Sequence, residues 1–222
     1  MAERIDIGRV ATLIRGDATK PIDVAGPFDL VFTDPPWSYG KAQPPRNGRV
    51  DRHYATMSTR SIVEVLDSLY DRCTASGYLV VWCTMPFVVD FGRESKAMRW
   101  RPLAGGMWWK DDARRGIGYH GLGDCEPYLV FGKGRPRPAW LATNVVDDVG
   151  YRHARMAHSQ KPPAIQSQLI ERFCPRRGRV IDPFMGLGSA GVAAMQTGRR
   201  FVGVEISRSR FEQAASAIQG AL

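Results

Sequence analysis

Along 222 residues, short runs rich in β-branched and aromatic residues alternate with segments of helical spacing, and this alternation restricts the fold more than any other feature. The strand-like runs are 10–16, 28–34, 77–83, 103–109, 126–132, 179–184 and 200–206. The helical ones are 58–73, capped by Ser58; 86–98, opened by a proline; 163–174, 188–198 and 208–219. Strands that alternate with helices predict an α/β fold: a seven-stranded, mostly parallel sheet covered on both faces. With 44% hydrophobic residues the chain has material for one core, so a single domain over 1–222 is expected. Two regions resist regular assignment, 38–57 (Gly, Pro and Arg) and 133–161 (basic), and loops of that length are usually functional or disordered.

Several function classes are disfavoured at once. No window reaches the roughly 18 apolar residues of a membrane helix, and "MAERIDIGRV" lacks the apolar core of a secretory signal, so the expected compartment is the cytoplasm. Cys73, Cys83, Cys125 and Cys174 show no paired spacing, and the four histidines share no ligand pattern; reduced thiols and no metal are expected. The formal charge is +9, with 25 Arg against 6 Lys. Residues 41–52 and 133–161 supply +7 of it, which reads as a polyanion-binding surface.

The segment "VIDPFMGLGSAGVAAMQTGRRFVGVEI" sets Gly186, Gly188 and Gly191 between a strand and a helix, and Glu205 ends the next strand 23 residues beyond Asp182. Such a corner suits a nucleotide-type ligand, with an acid for ribose hydroxyls, although a packing role for the glycines competes. A dinucleotide-linked dehydrogenase would need further strands after Glu205, and 17 residues follow. S-adenosylmethionine suits the corner if the rest of the sheet is encoded upstream, with the target-handling half at about 1–160 and the cofactor half at about 160–222. The motif order is then circularly permuted.

At the end of the second strand stands "DPPW", Asp34 to Trp37. The lone pair of a base's exocyclic amine is delocalised into the ring. An acid and a backbone carbonyl that accept its two N–H groups favour a more tetrahedral nitrogen, and an aromatic plane stacks an extruded base. Asp34, the Pro35 carbonyl and Trp37 fit those three parts. A tight turn around a buried tryptophan is the competing reading.

Taken together, "GDAT" (16–19), "TDPPW" (33–37), "HYATMS" (53–58), "WWK" (108–110), "GIGY" (116–119), Glu126, "HSQKP" (158–162) and "VIDPF" through "GVEI" resemble the amino-group methyltransferases of nucleic acids. That family joins messenger-RNA adenosine N6-methyltransferases with bacterial and phage DNA adenine relatives. The "DPFMGLGS" corner departs from the messenger-RNA branch and leans toward DNA. The resemblance implies a Rossmann-like fold with S-adenosyl-L-methionine as cofactor. Asp34, Pro35, Pro36 and Trp37 would hold and activate the amine. Asp17, Ala18, Asp34, His158, Lys161, Asp182, Phe184, Gly186, Gly188 and Glu205 would contact the cofactor, Lys161 at its carboxylate side, Glu205 at the ribose. Lys41, Arg46, Arg49, Arg52, His53, Tyr54, Lys110, Arg114, Arg115, Tyr119, Arg135 and Arg137 would meet the nucleic acid. The expected reaction is methylation of adenine N6 in DNA, in a bacterial or phage-infected cell. The alternatives are RNA adenosine, cytosine N4, and an inactive partner subunit that binds nucleic acid. The sequence leaves monomer or homodimer undetermined.

Overall fold

The computed structural model describes residues 3–38, 56–110, 116–117, 122–123, 125–147 and 161–222. In chain order the elements are β1 (Glu3–Ile7), β2 (Ala11–Arg15), β3 (Phe28–Thr33), α1 (Thr59–Ser68), β4 (Cys73–Trp82), α2 (Met85–Glu94), β5 (Arg101–Trp109), β6 (Gly116–Ile117), β7 (Leu122–Gly123), β8 (Cys125–Gly132), β9 (Val145–Asp147), α3 (Pro163–Phe173), β10 (Arg179–Asp182), α4 (Ser189–Gln196), β11 (Arg200–Glu205) and α5 (Arg208–Gln219). Nine strands form one sheet in the order β1-β2-β11-β10-β3-β4-β8-β5-β9, and β6 and β7 form a separate two-stranded ribbon.

The expected seven strands are therefore nine in the main sheet. The additions are edge strands: β1 carries Glu3, Arg4 and Asp6, so its alternation is mostly charged, and β9 is three residues inside the stretch read as irregular. Neither has the apolar run of an interior strand. From β2 to β4 every neighbouring pair is parallel; β1 and β8 join antiparallel, and β5 and β9 pair parallel beyond β8. Although β10 and β11 come last in the sequence, they lie between β2 and β3.

Two-residue alternation divides the side chains between two cores. Leu30, Phe32, Tyr78, Val80 and Trp82 pack with Ile165, Leu169, Ala193, Phe211 and Ile218 of α3, α4 and α5. Val31, Leu79, Val81, Ile181 and Val202 face Ile62, Val63 and Leu66 of α1 and Phe91 of α2. Each helix thus covers the sheet with its apolar stripe, in three layers. Ser58 caps α1 as expected, its Oγ accepting from the Ser61 N–H at 3.1 Å. All four cysteines are free, and burial pushes the Cys73, Cys83 and Cys174 thiols up to about 12. Among the described residues no helix is long and apolar enough to cross a membrane.

The glycine corner divides into two physical roles. A Cβ on Gly191 would lie 2.4 Å from Ile218 Cδ1, so that glycine lets α4 approach α5, the packing alternative raised from the sequence. Gly191→Ala is expected to destabilise the fold by about 1–3 kcal/mol through overpacking. Ile218→Val should recover part of that loss in a urea-denaturation double-mutant cycle. Strictly additive effects would contradict the close packing.

Candidate active site

Because β2, β11, β10, β3 and β4 run parallel, their carboxyl ends open on one edge, where open α/β sheets bind ligands. Asp34 follows β3, Asp182 ends β10, Glu205 ends β11 and Asp17 follows β2. The antiparallel β8 brings its first residues to the same edge, pairing Glu126 with Trp108 near the end of β5, just before Lys110. Asp34 and Glu205 are therefore at the same edge, with β10 and Asp182 between them.

A chain of charges runs along part of this edge. The Lys161 ammonium donates to Asp34 Oδ2 at 2.5 Å and to Glu126 Oε1 at 2.6 Å, and Lys110 reaches Glu126 Oε2 at 3.0 Å. The two ammonium groups also lie near aromatic faces, Lys161 5.4 Å from the Trp82 centroid and Lys110 5.2 Å from that of Trp108. Gln166 anchors this arrangement from α3, donating to the Lys161 carbonyl at 3.1 Å and to Ser189 Oγ at 2.6 Å. The Lys161 side chain is 8% exposed and that of Asp34 36%, so the lysine is enclosed while the aspartate faces outward. Burial opposes the Lys161 charge, yet Asp34 and Glu126 hold it above the ordinary lysine range. Burial also pushes Glu126 up, but Lys161 and Lys110 prevail and keep its carboxyl below the usual glutamate range. Burial lifts Asp34, with Lys161 working against that shift and Glu126 adding to it.

Lys161, expected at the carboxylate side of a cofactor, is thus set between two acids of the chain itself. Its ammonium is committed to two carboxylates. Glu126, to which no role was attached from sequence, is the second of them. Its signal was an acid at the head of the apolar strand "EPYLVFG", where burial requires a cationic partner. Lys110, expected to approach nucleic acid, is that carboxylate's other partner.

The Asp34 corner is tight. The Trp37 N–H donates to the Pro35 carbonyl at 2.9 Å, and the Met57 N–H to that of Pro36 at 2.8 Å. The Pro35 carbonyl thus already accepts one bond and has one further lone pair. Trp37 is 3% exposed, stacked on Phe87 at 5.3 Å and set edge-on to Phe91 at 5.4 Å. The indole, expected to serve as a plate for an extruded base, is here packed by α2 through Phe87 and Phe91.

On the cofactor side, Thr33 Oγ1 donates to Asp182 Oδ1 at 2.6 Å, and the Phe184 N–H joins the same oxygen at 3.0 Å. Burial pushes the Asp182 carboxyl up to about 7 against these bonds, and nearby Asp34 and Glu205 add to the shift. Burial likewise raises Glu205, opposed first by the Ser207 N–H at 2.7 Å and then by Arg210 and the Gly186 and Ile206 N–H groups. The Gly16 N–H donates to the Glu205 carbonyl at 2.9 Å, bringing the β2 end beside it. Asp17 is exposed and its Oδ1 takes the N–H and hydroxyl of Thr19, the geometry of a turn former; Ala18 is half-buried within that turn. Gly186 has φ 55° and an open approach, whereas a Cβ on Gly188 (φ 81°) would lie 2.9 Å from Ala214 Cβ. Gly188 therefore serves helix packing at least as much as ligand approach.

Arg135 and Arg137 are exposed and follow β8, whose far end lies at the opposite sheet edge. The antiparallel direction of that strand sets these two arginines, expected to meet nucleic acid, away from the Asp34 corner. Lys41, Arg46, Arg49, Arg52, His53, Tyr54, Arg114, Arg115, Tyr119 and His158 lie outside the described residues.

Two outcomes follow from these electrostatics. Lys161→Met leaves Asp34 and Glu126 without their shared cation and is expected to destabilise by about 3 kcal/mol, the low end for a broken buried pair because Asp34 is one-third exposed. Chemical denaturation measures it, and an unchanged midpoint would deny the pairing. Asp182 has a folded value of about 7, above the roughly 3.9 of an unfolded chain, so its contribution to stability is complete below the lower value and lost as pH rises through the higher. Relative to wild type, Asp182→Asn should gain about 1.4 kcal/mol per pH unit between them. A pH-independent difference would show that Asp182 ionises normally.

Comparisons with known proteins agree with this layout. Residues 133–216 match a family model, N6_N4_Mtase, described as DNA methylase. A relative from Escherichia coli (strain K12), "Putative methylase YubD", is 38% identical over 79 residues, which are 35% of this chain and 34% of that protein; the match thus spans about a third of the relative's length. Among solved structures, the PvuII DNA methyltransferase (cytosine-N4-specific) superposes with a TM-score of 0.71 at 13% identity, over 94% of this chain and 86% of that one. The M1.HpyAVI–SAM complex gives 0.64 at 18%, over 87% and 89%. The chain thus has the fold of these methyltransferase structures, and the segment that matches the DNA methylase model, 133–216, includes Lys161, Asp182 and Glu205.

Proposed function

We propose that the protein is an S-adenosyl-L-methionine-dependent methyltransferase acting on the exocyclic amine of a base in DNA, with adenine N6 as the lead target. The observation that carries this reading is the sharing of one sheet edge by the Asp34-Pro35-Pro36 turn, Asp182 and Glu205. The DNA methylase match over residues 133–216 supports the DNA substrate. The late strands β10 and β11, inserted between β2 and β3, support a permuted motif order within one domain.

The residues on the cofactor side fit the group. Gly186 leaves backbone open to a ligand, Glu205 closes the next strand, and exposed Ile206 follows it. When bound, the cofactor supplies a methyl group on a positively charged sulfur. Glu205 holds ribose hydroxyls, and Asp182, Phe184 and Gly186 line the neighbouring space. Asp34 accepts one N–H of the target amine on the oxygen that Lys161 leaves free, and the second lone pair of the Pro35 carbonyl takes the other. Those two bonds favour a tetrahedral nitrogen aimed at the methyl. Lys161, fixed by Glu126 and Gln166, orients the Asp34 carboxylate and preserves its charge. Positioning and electrostatics supply the acceleration, with no covalent protein intermediate.

Cytosine N4 is the second reading, because the clamp recognises an amine rather than a ring and one superposing structure is titled cytosine-N4-specific. Incubation of the protein with methyl-labelled cofactor and duplex DNA or RNA, then mass spectrometry of nucleosides, separates the targets. N6-methyladenosine in RNA, N4-methylcytosine, or no product on any nucleic acid would each replace the lead. Asp34→Ala is expected to abolish transfer while cofactor affinity, measured by calorimetry, stays within a few fold. Full turnover by this variant would remove Asp34 from the chemistry.

A further inference from the structure

Among the described residues, the opposite end of the sheet gathers exposed arginines. A cavity of about 190 Å³ opens there between the β1–β2 turn and the first residues of β10 and β11, lined by Arg9, Arg179 and Arg200 together with Asp6, Thr12 and backbone. Arg179 and Arg200 are register partners on adjacent parallel strands, so their Cα atoms lie roughly 4.8 Å apart. Arg9 and Arg200 are exposed, and neither takes part in the arginine–carboxylate pairs found among the described residues. The acid in the cavity is already neutralised: Asp6 takes Arg4 Nε at 3.0 Å, a second Arg4 nitrogen at 3.1 Å and Thr12 Oγ1 at 2.7 Å. The Asp29 carboxylate is likewise engaged, by the Arg179 N–H at 2.8 Å.

The charge continues across the edge. Arg176 and Arg177 are exposed in the turn that enters β10, Arg177 at φ 61°. Beyond β3 and β4, the end of β8 carries the exposed Arg135 and Arg137, and Arg101 opens β5, donating to the Gly134 carbonyl at 3.0 Å. From β2 to β5 the sheet order spans six steps of about 4.8 Å, or roughly 29 Å of edge. A cluster this long has more guanidinium groups than one phosphate occupies. The cavity is also smaller than the roughly 300–1,000 Å³ of a site for a whole small-molecule ligand.

We propose that this edge is a second nucleic-acid contact, in which Arg9, Arg179 and Arg200 hold one phosphodiester group in the cavity and the remaining arginines follow the neighbouring phosphates. Bidentate guanidinium–phosphate bonds suit arginine rather than lysine, which agrees with an edge built from arginines. Arg200 and Glu205 are five residues apart on one strand, about 17 Å, so the segment bound here is distinct from the nucleotide at Asp34. The inference extends the proposed methyl-transfer reading without needing it, since binding is measured apart from turnover.

The test uses Arg9→Gln combined with Arg200→Gln, both exposed and outside the candidate active site. Equilibrium binding of a fluorescent DNA duplex, without cofactor, is followed across salt concentration. Loss of two of the three guanidinium groups on that one phosphate is expected to lower the slope of log affinity against log salt by about 1 and to weaken binding at fixed salt. Thermal melting in inorganic phosphate against chloride of equal ionic strength forms the second arm. A phosphate-specific gain that the double variant loses, with DNA affinity and slope unchanged, would make the ligand free phosphate and overturn the nucleic-acid assignment. No change in either arm would overturn the site altogether. Methyl transfer on a short duplex is measured beside both arms, so failure of the chemistry is read separately from failure of this contact.

Discussion

The Lys161 ammonium held between Asp34 and Glu126 is the contact on which the candidate site depends, because four carboxylates converge on one sheet edge. Asp34, Glu126, Asp182 and Glu205 would repel one another if all were ionised and unpaired. Lys161 and Lys110 resolve the half nearest β3 and β8 by ion pairing. The half nearest β10 and β11 is resolved differently. Asp182 tends toward the neutral form, its carboxyl at about 7, while backbone N–H groups serve Glu205. The edge is thereby divided into a cation-buffered part and a part stabilised by hydrogen bonds, which correspond to the proposed target and cofactor sides.

Sheet direction decides what can meet. A parallel β2-β11-β10-β3-β4 block brings residues from four distant segments to one end, and the reversal at β8 returns Glu126 to it while carrying Arg135 and Arg137 away. Among the described residues, acids gather at one end of the sheet and exposed arginines at the other. Lys161 stands just before α3, where Gln166 ties it to α4, so the lysine is carried by packed helices rather than by its own flexible stem.

Much of this was legible in the sequence. Interior strands announce themselves by continuous apolar runs, and all seven expected runs are strands; the five helices follow from their caps and apolar spacing. The edge strands β1 and β9 carry no such mark, because edges need no apolar run. The acids at strand ends were visible as "TDPPW", "VIDPF" and "GVEI", since each interrupts buried sequence with a charge. What spacing does not encode is partnership across the fold. Lys161 and Asp34 are 127 residues apart, and a lysine in "HSQKP" has no local mark that its ammonium is 8% exposed between two acids. Trp37 shows the same limit: an aromatic beside prolines suits a stacking plate or a core residue equally well, and the rings packed on it, Phe87 and Phe91, come from α2. The arginines of the far edge come from "RPR", "PRRGR", "GRR" and a lone Arg9, and no single window displays them as one surface.

The most direct measurement is an experimental structure of the protein with a methyl-donor analogue and a DNA duplex containing the target base. The exocyclic nitrogen should stand about 2.7–3.2 Å from an Asp34 carboxylate oxygen, with Lys161 still bound to Glu126 and the analogue's ribose at Glu205. An analogue or a base seated away from this edge, with Asp34 facing neither, would contradict it.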